Sequence, residues 1–522
     1  MSELADSFLL PITIGDVLDR LGAAGELLAN WHVDEQAKGL VPAHLSYDSR
    51  DVVGGSLFFC KGSGFRAEYL KDAIDKGAVA YVTDDAGLAG SQQGPGLSGT
   101  PAILVRNAPY AMALIASWYY QDLLKQIKII GITGTKGKSS TVYFIKSILD
   151  CWMQAQGKPQ TALLSSIDNY DGVVFEESHL TTKESLDLYC HFANAVSSCI
   201  GYLSMEVSSQ ALKYHRAAAV PFEVSCFLNF GRDHISEIEH PDLDDYLNSK
   251  LKIFAQSNTT CINAQSAEYD RILAESQKAQ RVVSFGWEKS DDVHALSHSN
   301  EGGNSFTASV FGIEAGFQLG LLGKFNVENA LAAIAVATTL GVPMDIIQTG
   351  LMAARVPGRM ELFETNDQKT LIVDYAHNEM SFQALFEAVK ESYPGRYIAI
   401  VFGCPGYKAI DRRHDLGTIS GRQANDVVLT EEDCGFEDVY EICEDIAQYV
   451  RAAGQEPRII VDRQKAIESA IDEAPPGAVV LLTGKGRETR QKRGNEYIEV
   501  MSDVEIVEQY LKRQARLAQE NA

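Results

Sequence analysis

The most regular hydrophobic pattern in the chain is an apolar run followed, after a glycine-containing segment, by apolar residues at helical spacing. The run covers Ile127–Ile132 and is of the strand type. Downstream, apolar side chains repeat with a helical period at Val142, Phe144, Ile145, Ile148, Leu149 and Trp152. The pattern therefore predicts a strand, a loop and a helix in succession.

Similar patterns predict elements along the rest of the chain. Apolar runs predict strands at residues 56–60, 78–83, 102–105, 202–207, 223–228, 370–375, 398–402, 426–429 and 478–483. Helical patterns predict helices at residues 14–28, 327–340, 380–389 and 439–452, and a charged helix from residue 503. Strands and helices alternate after residue 356, which indicates an α/β fold with a parallel sheet covered by helices on both faces.

The length of the chain and an interruption by proline and glycine indicate separate domains. Its 522 residues are too many for one hydrophobic core, and this length favours about three domains. The strand-loop-helix pattern opens a second unit, and Val356-Pro357-Gly358-Arg359 interrupts the chain before the third. We expect domains at residues 1–121, 122–356 and 357–522.

Composition narrows the class of protein. A hydrophobic content of 45% with 22% charged residues is typical of a soluble globular protein. The 46 basic and 70 acidic side chains give a net charge of −24, which argues against a nucleic-acid or anionic-membrane partner. Nine scattered cysteines without C-x-x-C spacing, and an acidic rather than basic N-terminus, favour the cytoplasm.

The segment between the predicted strand and helix carries the strongest chemical signal. Glycines let backbone N–H groups approach a phosphate, the helix N-terminus adds partial positive charge, Lys138 adds a full charge, and the Ser139 hydroxyl suits Mg²⁺. Ile132 stands where the standard P-loop has its first glycine, so the match is to a variant. A glycine-rich turn that caps a helix is the alternative. The candidate ATP-binding residues are Gly134, Thr135, Lys136, Gly137, Lys138, Ser139 and Ser140.

Two further polar residues follow predicted strands. Glu206 ends an apolar run, where an α/β nucleotide enzyme places a carboxylate ligand for Mg²⁺, although a surface glutamate would give the same pattern. His234, in Arg232-Asp233-His234, follows another apolar run and is a candidate second metal ligand or a residue that orients one. A structural histidine is the alternative.

The order of the motifs along the chain resembles that of the Mur ligase family, and most closely its MurE branch. The similarity extends from Ser46-Tyr47-Asp48-Ser49-Arg50 to Glu488. The motifs are Gly134-Thr135-Lys136-Gly137-Lys138-Ser139, Leu180-Thr181-Thr182 with Glu184-Ser185, Met205-Glu206-Val207-Ser208-Ser209, Arg232-Asp233-His234, Gly323-Lys324-Phe325-Asn326 with Asn329, Val356-Pro357-Gly358-Arg359-Met360-Glu361, Asp374-Tyr375-Ala376-His377 and Gly484-Lys485-Gly486-Arg487-Glu488.

The resemblance implies a fold and a reaction. It implies three domains: an N-terminal UDP-binding domain, a central ATP-binding domain with a P-loop and a parallel sheet, and a C-terminal Rossmann-like domain that binds an amino acid. ATP phosphorylates a substrate carboxylate, and an amine then attacks the acyl phosphate. The implied partners are UDP-N-acetylmuramoyl-L-alanyl-D-glutamate and a diamino acid, with ATP and Mg²⁺, and we expect a monomer in peptidoglycan precursor synthesis.

The resemblance also assigns roles to residues. Mg²⁺ would be held by Ser139, Glu206, His234 and Lys250, the last as a carbamate, with a plain helix-surface lysine as the alternative. Asn326 and Asn329 would contact adenine, Arg359 the γ-phosphate and Asp374 the ribose, although Asn326 could instead cap a helix. The UDP-linked substrate would contact Ser49, Thr181, Thr182, Ser208 and Arg216, the last being otherwise a surface arginine.

The choice of amino acid depends on the C-terminal motifs. The resemblance places Arg413, Gly484 and Glu488 at the α-carboxylate and α-ammonium groups. Gly435 stands where diaminopimelate-adding relatives have an arginine, so a second substrate carboxylate would be buried unpaired at a cost of several kcal/mol. Glu432 and Asp433 suit a terminal ammonium instead.

Three alternatives remain open. The acidic pair Glu432 and Asp433 favours L-lysine as the amino acid. L-Ornithine is shorter by one methylene, which changes the discrimination between the two by only about 1–3 kcal/mol, so it remains an alternative. A non-catalytic nucleotide-binding paralogue is disfavoured because the expected metal positions are all present. A folylpolyglutamate synthetase would lack the roughly 120 residues that precede the P-loop here.

Overall fold

The computed structural model describes residues 6–62, 64–90, 99–178, 180–232, 235, 239–300, 304–407 and 410–520. The chain forms two compact units. The first comprises Met1–Ala295, Ser309–Ala315 and Asn329–Gly350. The second comprises Leu296–Ala308, Gly316–Glu328 and Leu351–Ala522. Among the residues just given, no helix is both long enough and apolar enough to cross a bilayer.

The described residues contain helices and strands in mixed order. The helices are α1 (Ile14–Ala23), α2 (Glu35–Lys38), α3 (Ala67–Asp75), α4 (Ala86–Gly90), α5 (Ala108–Tyr119), α6 (Gln121–Leu124), α7 (Lys138–Ala155), α8 (Ser185–Ser197), α9 (Ser209–Lys213), α10 (Leu243–Leu251), α11 (Tyr269–Ser276), α12 (Lys324–Thr339), α13 (Met344–Ala353), α14 (Glu379–Ser392), α15 (Asp411–Gln423), α16 (Val439–Ala452), α17 (Arg463–Glu473) and α18 (Asp503–Glu520). A 3₁₀ helix covers Lys252–Gln256.

The strands are β1 (Leu27–Trp31), β2 (His44–Ser46), β3 (Ser56–Phe59), β4 (Ala80–Thr83), β5 (Ala102–Val105), β6 (Lys128–Thr133), β7 (Ala162–Leu164), β8 (Asp168–Tyr170), β9 (Phe175–Glu177), β10 (Tyr202–Glu206), β11 (Phe222–Phe227), β12 (Ser257–Asn263), β13 (Arg281–Gly286), β14 (Val293–Ser299), β15 (Asn304–Val310), β16 (Ile313–Leu319), β17 (Glu361–Glu364), β18 (Thr370–Asp374), β19 (Ile398–Phe402), β20 (Asp426–Leu429), β21 (Arg458–Ile459), β22 (Val479–Thr483), β23 (Arg490–Arg493) and β24 (Glu496–Glu499).

The N-terminal sheet has the strand order β1-β5-β4-β3-β2. Strands β2 to β5 are parallel, and β1 pairs antiparallel with β5, with Leu27 opposite Val105. The helix predicted over residues 14–28 is wrong at its end, because α1 stops at Ala23 and Leu27 begins a strand. The backbone turns at Gly25, which has a φ of 73°. Pairing with β5 therefore overrides the helical pattern of Leu27 and Leu28.

The central sheet of the first unit places β6 between β10 and β11. The order β13-β12-β11-β6-β10-β7 is parallel, and β8 and β9 continue it antiparallel. Glu206 of β10 is in register with Ile132, and Phe227 of β11 is in register with Thr133. The predicted strand, loop and helix are confirmed as β6, the segment after it, and α7. All three strand ends therefore reach the same edge of the sheet.

The second unit contains a sheet of the order β17-β18-β22-β19-β20-β21. Its strands are parallel except for β17, which pairs antiparallel with β18. Strands β19 and β22 are buried at every position, as their unbroken apolar runs indicate. The alternation of strands and helices predicted after residue 356 is confirmed.

A buried ion pair fixes the C-terminal helix of the second unit. Arg463 Nε lies 2.6 Å from Asp503 Oδ1, and its Nη2 lies 2.7 Å from Asp503 Oδ2. The same Nη2 donates to the carbonyl of Thr483 at 2.7 Å. Asp503 is fully buried and also accepts a hydrogen bond from the backbone N–H of Gly486. The pair thus links α17 and α18 to the end of β22.

We expect Arg463→Leu to lower the free energy of unfolding by about 3–5 kcal/mol, because it leaves the Asp503 carboxylate buried without its partner. Urea denaturation followed by circular dichroism measures the change. Arg451→Leu is the control, since that arginine pairs with exposed Glu444 and Glu456 at the surface and should contribute little. Equal stability of Arg463→Leu and the wild type would contradict the assignment.

Candidate functional site

The segment between β6 and α7 is a tight loop at the edge of the central sheet. Gly137 precedes α7 with a φ of 84°, in the left-handed region that glycine adopts without strain. A Cβ atom at this position would lie 2.2 Å from Oδ1 of Asn329, so the loop has no room for one. Thr135, Ser139 and Ser140 are buried. The loop therefore exposes backbone and Lys138 rather than bulky side chains.

Asn229, which follows β11, holds the loop by hydrogen bonds from its carbonyl and its side chain to the main chain of the loop. Its carbonyl accepts from Thr135 N at 3.0 Å, its Oδ1 accepts from Lys136 N at 2.9 Å, and its Nδ2 donates to the Lys136 carbonyl at 3.1 Å. The hydroxyl of Thr135 accepts from Gly231 N at 3.1 Å. Sequence analysis gave Asn229 no role, because its only signal is its place at the end of an apolar run.

Two lysines meet at one carbonyl of the loop. Lys138 Nζ donates to the carbonyl of Gly134 at 3.0 Å, and Lys250 Nζ, from α10, donates to the same oxygen at 2.8 Å. Lys250 is buried, and its Nζ lies 4.6 Å from the centroid of the Tyr246 ring. The helix-surface alternative for Lys250 is therefore wrong. Two ammonium groups on one carbonyl create a region that attracts an anion.

Glu206 lies in a chain of oxygen atoms that begins at Ser139. The Ser139 hydroxyl is 3.2 Å from the hydroxyl of Ser166, and Ser166 donates to Glu206 Oε1 from its backbone N–H at 2.9 Å and its hydroxyl at 3.0 Å. Glu206 is buried, so the surface alternative is wrong. Ser166 belongs to none of the sequence motifs.

The donor set of this chain suits a hard cation. Mg²⁺ prefers oxygen ligands and is usually held by one or two carboxylates together with phosphate oxygens and water. Within the described ranges, no group of three or more His, Cys, Asp or Glu side chains is placed to hold a metal ion. Asp233 and His234 lie outside the described residues. The hydroxyl of Ser139 and the carboxylate of Glu206 fit the chemistry of Mg²⁺.

Lys138 lines a cleft of about 110 Å³ together with residues predicted to bind the UDP-linked substrate. The lining of this cleft includes Lys138, Lys250, Thr181, Ser208 and Arg216. Thr182 lies behind it, where its hydroxyl donates to the carbonyl of Glu206 at 3.0 Å and accepts from Ser208 N at 3.0 Å. The structure thus brings together residues that are more than 100 positions apart in the sequence.

Arg216 is not a surface side chain, because an acidic residue holds it in place. Its Nε lies 3.1 Å from Glu184 Oε1, and its side chain is 18% exposed. Lys61 Nζ lies 2.7 Å from the other oxygen of Glu184. Because two cations, Arg216 and Lys61, flank the carboxylate of Glu184, this position also suits the carboxylate of a ligand. Glu184 is thus a further site residue that sequence analysis quoted without a role.

The other residues predicted to bind ATP or the UDP-linked substrate do not line this cleft. Ser49 follows the edge strand β2, and its carbonyl accepts from Lys76 Nζ at 2.7 Å. Asn326 is fully buried in the first turn of α12, where its Nδ2 donates to the carbonyl of Leu322 at 2.8 Å. The N-cap alternative for Asn326 is wrong because α12 begins at Lys324. Asn326 belongs to the second unit and Asn329 to the first.

In the second unit, Asp374 fixes a turn that carries Arg359. Its Oδ2 accepts from Met360 N at 2.9 Å, and its Oδ1 accepts from Ala376 N at 2.7 Å. Burial raises the pKa of Asp374, and the charge of Arg359 opposes the rise. The guanidinium of Arg359 lies 4.6 Å from the centroid of the Tyr375 ring. The backbone of this turn is therefore set by one carboxylate.

Lys485 organises the acidic residues near the Gly484 motif. This buried lysine donates to Glu488 Oε2 at 2.8 Å, to Asp433 Oδ1 at 3.2 Å and to the carbonyl of Arg490 at 2.6 Å. Asp433 Oδ1 also accepts from Lys492 N at 3.0 Å. Asp433, which is expected to suit a terminal ammonium, therefore already pairs with an ammonium of its own chain.

Glu432 has a different environment. Within the part of the chain that the structure describes, its carboxylate has no hydrogen-bond partner. A Cβ atom at Gly484 would lie 3.2 Å from Glu432 Oε2, so the two motifs are adjacent. Burial raises the pKa of Glu432 to about 8, although Arg463 and Lys485 oppose the rise. Of the two acids in this loop, Glu432 is the one that remains available.

The loop from Glu432 to Gly435, called here the acidic loop, is attached to the β23–β24 hairpin. Gly435 N donates to the carbonyl of Lys492 at 3.2 Å, and Gly494 N donates to the carbonyl of Gly435 at 2.6 Å. Gln491 Nε2 donates to the carbonyl of Glu432 at 2.9 Å. These bonds fix the loop along its length. No local sequence pattern indicates that the hairpin supports the loop.

Arg413 is engaged within its own unit. Its two Nη atoms lie 2.8 and 2.7 Å from the two carboxylate oxygens of Glu437, and Nη1 lies 3.0 Å from Asp445. These partners raise the pKa of the guanidinium. The arrangement joins α15 to α16 and to the loop before α16. A carboxylate of a substrate would have to compete with two acidic side chains for Arg413.

Comparison with known proteins gives matches along most of the chain. Residues 132–337 match the model for the Mur ligase middle domain, and residues 358–486 match the model for the Mur ligase glutamate ligase domain. A UDP-N-acetylmuramyl-tripeptide synthetase of Lactobacillus delbrueckii subsp. bulgaricus is 36% identical over 488 residues, which cover 89% of this chain and 92% of that protein.

Two further comparisons agree with these matches. A UDP-N-acetylmuramoyl-L-alanyl-D-glutamate–L-lysine ligase of Enterococcus faecalis is 36% identical over 493 residues, which cover 92% of this chain and 94% of that protein. The solved structure of a UDP-N-acetylmuramoyl-L-alanyl-D-glutamate–2,6-diaminopimelate ligase superposes with a TM-score of 0.67 at 21% identity, covering 97% of this chain and all of that chain (100%). This likeness confirms the expected α/β fold.

The raised pKa of Glu432 predicts a pH dependence of stability. Because the folded protein binds this proton more tightly than the unfolded chain, its stability is full below pH 4.5 and falls as the pH rises to about 8. Glu432→Gln removes this loss, so its free energy of unfolding should exceed that of the wild type increasingly from pH 5 to 8.

Urea denaturation at four pH values across this range measures the difference, and the exposed Glu441→Gln serves as a matched control. A difference between Glu432→Gln and the wild type that stays constant with pH would show that Glu432 is solvated.

Proposed function

Because the chain belongs to the Mur ligase family, we propose that it joins L-lysine to UDP-N-acetylmuramoyl-L-alanyl-D-glutamate in an ATP-dependent reaction. The observation that carries the proposal is the cleft in which the loop lysine, Lys138, lies beside Arg216. A phosphate-binding cation and a carboxylate-binding cation in one cleft suit the transfer of a phosphoryl group to a carboxylate. The amine of lysine then displaces phosphate from the acyl phosphate.

The phosphate-binding loop would receive the nucleotide. Its backbone N–H groups and Lys138 bind the phosphates at the N-terminus of α7, where the helix dipole adds to the attraction. Asn329, which lies against Gly137, would contact adenine, as the resemblance implies. The resemblance also implies nucleotide contacts for Asn326, Arg359 and Asp374.

Ser139 and Glu206 would hold Mg²⁺, with His234 and a carbamylated Lys250 as the further ligands that the resemblance implies. Mg²⁺, when bound, supplies positive charge that offsets the repulsion between phosphate and carboxylate. The modification of Lys250 rests on the resemblance alone, since in the structure its Nζ donates to the carbonyl of Gly134 as an unmodified ammonium does. Ser166 orients Glu206 by two hydrogen bonds.

The substrate carboxylate would enter between Thr181, Ser208 and Arg216, with Thr182 supporting Ser208 from behind. Arg216 offers a planar guanidinium that can bind a carboxylate through two hydrogen bonds. Glu184 holds that guanidinium in place and would exchange with the substrate. Ser49 is the proposed contact for the uridine nucleotide.

In the second unit, Glu488 and Gly484 would bind the α-amino group of lysine, and Glu432 its terminal ammonium. Because Lys485 already pairs with Asp433, Asp433 would attract the terminal ammonium of lysine only by its charge and not by a direct contact. Arg413 remains our proposal for the α-carboxylate. Relatives such as the Enterococcus enzyme carry lysine in their names, which favours lysine over ornithine and diaminopimelate.

We infer the same three-domain division as the family, at residues 1–121, 122–356 and 357–522. The protein would act as a monomer in the cytoplasm, in peptidoglycan precursor synthesis.

Phosphate release in the presence of ATP, Mg²⁺ and the UDP-linked dipeptide tests the activity directly. We expect release that depends on the amino acid, with lysine preferred over ornithine by at least about tenfold in kcat/KM, which is the discrimination that one methylene allows. Diaminopimelate should be a poor substrate because Gly435 offers its second carboxylate no cation.

Release with diaminopimelate alone would reverse the choice of amino acid. The absence of release with every amino acid would favour the non-catalytic paralogue.

Asn229 should determine the affinity for nucleotide, since its side chain makes two hydrogen bonds to the backbone of Lys136 in the loop. We expect Asn229→Leu to weaken binding of ADP by at least about tenfold in isothermal titration calorimetry, because the loop amides lose their fixed directions. Asn258→Leu, at an exposed position of β12, is the control and should bind ADP as the wild type does. Unchanged affinity in Asn229→Leu would exclude this loop as the nucleotide site.

A further inference from the structure

Tyr375 lies between the two polar motifs of the second unit. It follows β18, which is parallel to β22, with Asp374 in register with Thr483. Gly484 N donates to the carbonyl of Asp374 at 3.3 Å. The residues that follow these two strands therefore leave the sheet side by side at one edge. In the sequence, Tyr375 belongs to the motif Asp374-Tyr375-Ala376-His377, which assigns it no role.

The ring of Tyr375 packs against charged and aromatic groups. The guanidinium of Arg359 lies 4.6 Å from its centroid, and the ring of His377 lies 4.9 Å away at an angle of 76°. A guanidinium over an aromatic face is attracted by the ring quadrupole, and the contact restricts its rotamers. The Tyr375 ring therefore holds Arg359 in one position.

The hydroxyl of Tyr375 holds a different residue. It donates a hydrogen bond to Glu488 Oε1, while Lys485 Nζ donates to Glu488 Oε2 at 2.8 Å. Burial raises the pKa of Tyr375, and the charge of Glu488 raises it further, so the hydroxyl stays protonated and donates. Each oxygen of the Glu488 carboxylate thus has one fixed donor, which sets the orientation of the carboxylate.

We propose that Tyr375 is a positioning residue that holds Arg359 through its ring and Glu488 through its hydroxyl, so that the group facing the phosphate and the group facing the amine keep a fixed separation. The inference rests on the proposed function, in which Arg359 contacts the γ-phosphate and Glu488 the amine. Reacting groups that are displaced by about 1 Å can lose about 10²-fold in rate. One rigid aromatic side chain shared by both groups limits such displacement.

Two substitutions separate the roles of the ring and the hydroxyl. Tyr375→Phe keeps the ring against Arg359 and removes the donor to Glu488. Tyr375→Leu removes both. We expect Tyr375→Phe to raise the KM for lysine by about tenfold, which is the effect of one hydrogen bond to a charged group, and to leave the KM for ATP within about twofold. Tyr375→Leu should raise both constants.

A tyrosine of the same unit provides a matched control. Tyr510 is buried, and its hydroxyl donates to Asp472 Oδ1 at 2.5 Å, so Tyr510→Phe removes the same kind of hydrogen bond elsewhere. This variant should leave both Michaelis constants unchanged. Thermal unfolding of Tyr510→Phe and Tyr375→Phe shows how far a loss of stability accounts for the kinetics.

The measurement is phosphate release at varied lysine with saturating ATP, and at varied ATP with saturating lysine. A lysine KM in Tyr375→Phe equal to that of the wild type, or an equal rise of both constants, would overturn the inference. Wild-type protein that releases no phosphate with any amino acid would overturn the proposed function, and the inference with it. A selective rise in the lysine KM of Tyr375→Phe alone supports both.

Discussion

The parallel order of β10, β6 and β11 is the constraint on which the candidate site depends. Neighbouring parallel strands end at one edge of a sheet, so the candidate phosphate-binding loop after β6 has Glu206 on one side and Asn229 on the other. Asn229 fixes the loop backbone, and Glu206 reaches Ser139 through Ser166. Another strand order would leave the loop without either neighbour. The chemistry is therefore set by topology before any ligand is present.

Much of this arrangement could be predicted from the sequence. The candidate phosphate-binding loop has a local pattern, because strand, glycines, lysine and helix are contiguous. Glu206 and Lys250 were identified from their place after or within regular elements and from the resemblance. Their burial is what excludes the surface alternatives. Local patterns failed at residues 24–28, where pairing of Leu27 with β5 ended a helix that its residues alone favour.

The sequence could not reveal which charges are already neutralised. Asp433 and Arg413 have suitable chemistry for binding an amino acid, yet Lys485 pairs with one and Glu437 with the other. Ser166, Asn229 and Tyr375 were given no role for the related reason that their partners are distant in sequence. Such contacts depend on the order of the strands in each sheet, which no local sequence pattern predicts.

The attachment of the acidic loop to the β23–β24 hairpin bears on how amino-acid preference could change in evolution or by engineering. The backbone of residues 432–435 is held by the carbonyl of Lys492, the amide of Gly494 and the side chain of Gln491. If the loop alone were grafted from a relative, it would lack the hairpin residues that bind its backbone and would lose its conformation. The loop and the hairpin form one structural unit, so a transfer of amino-acid preference would have to include both segments.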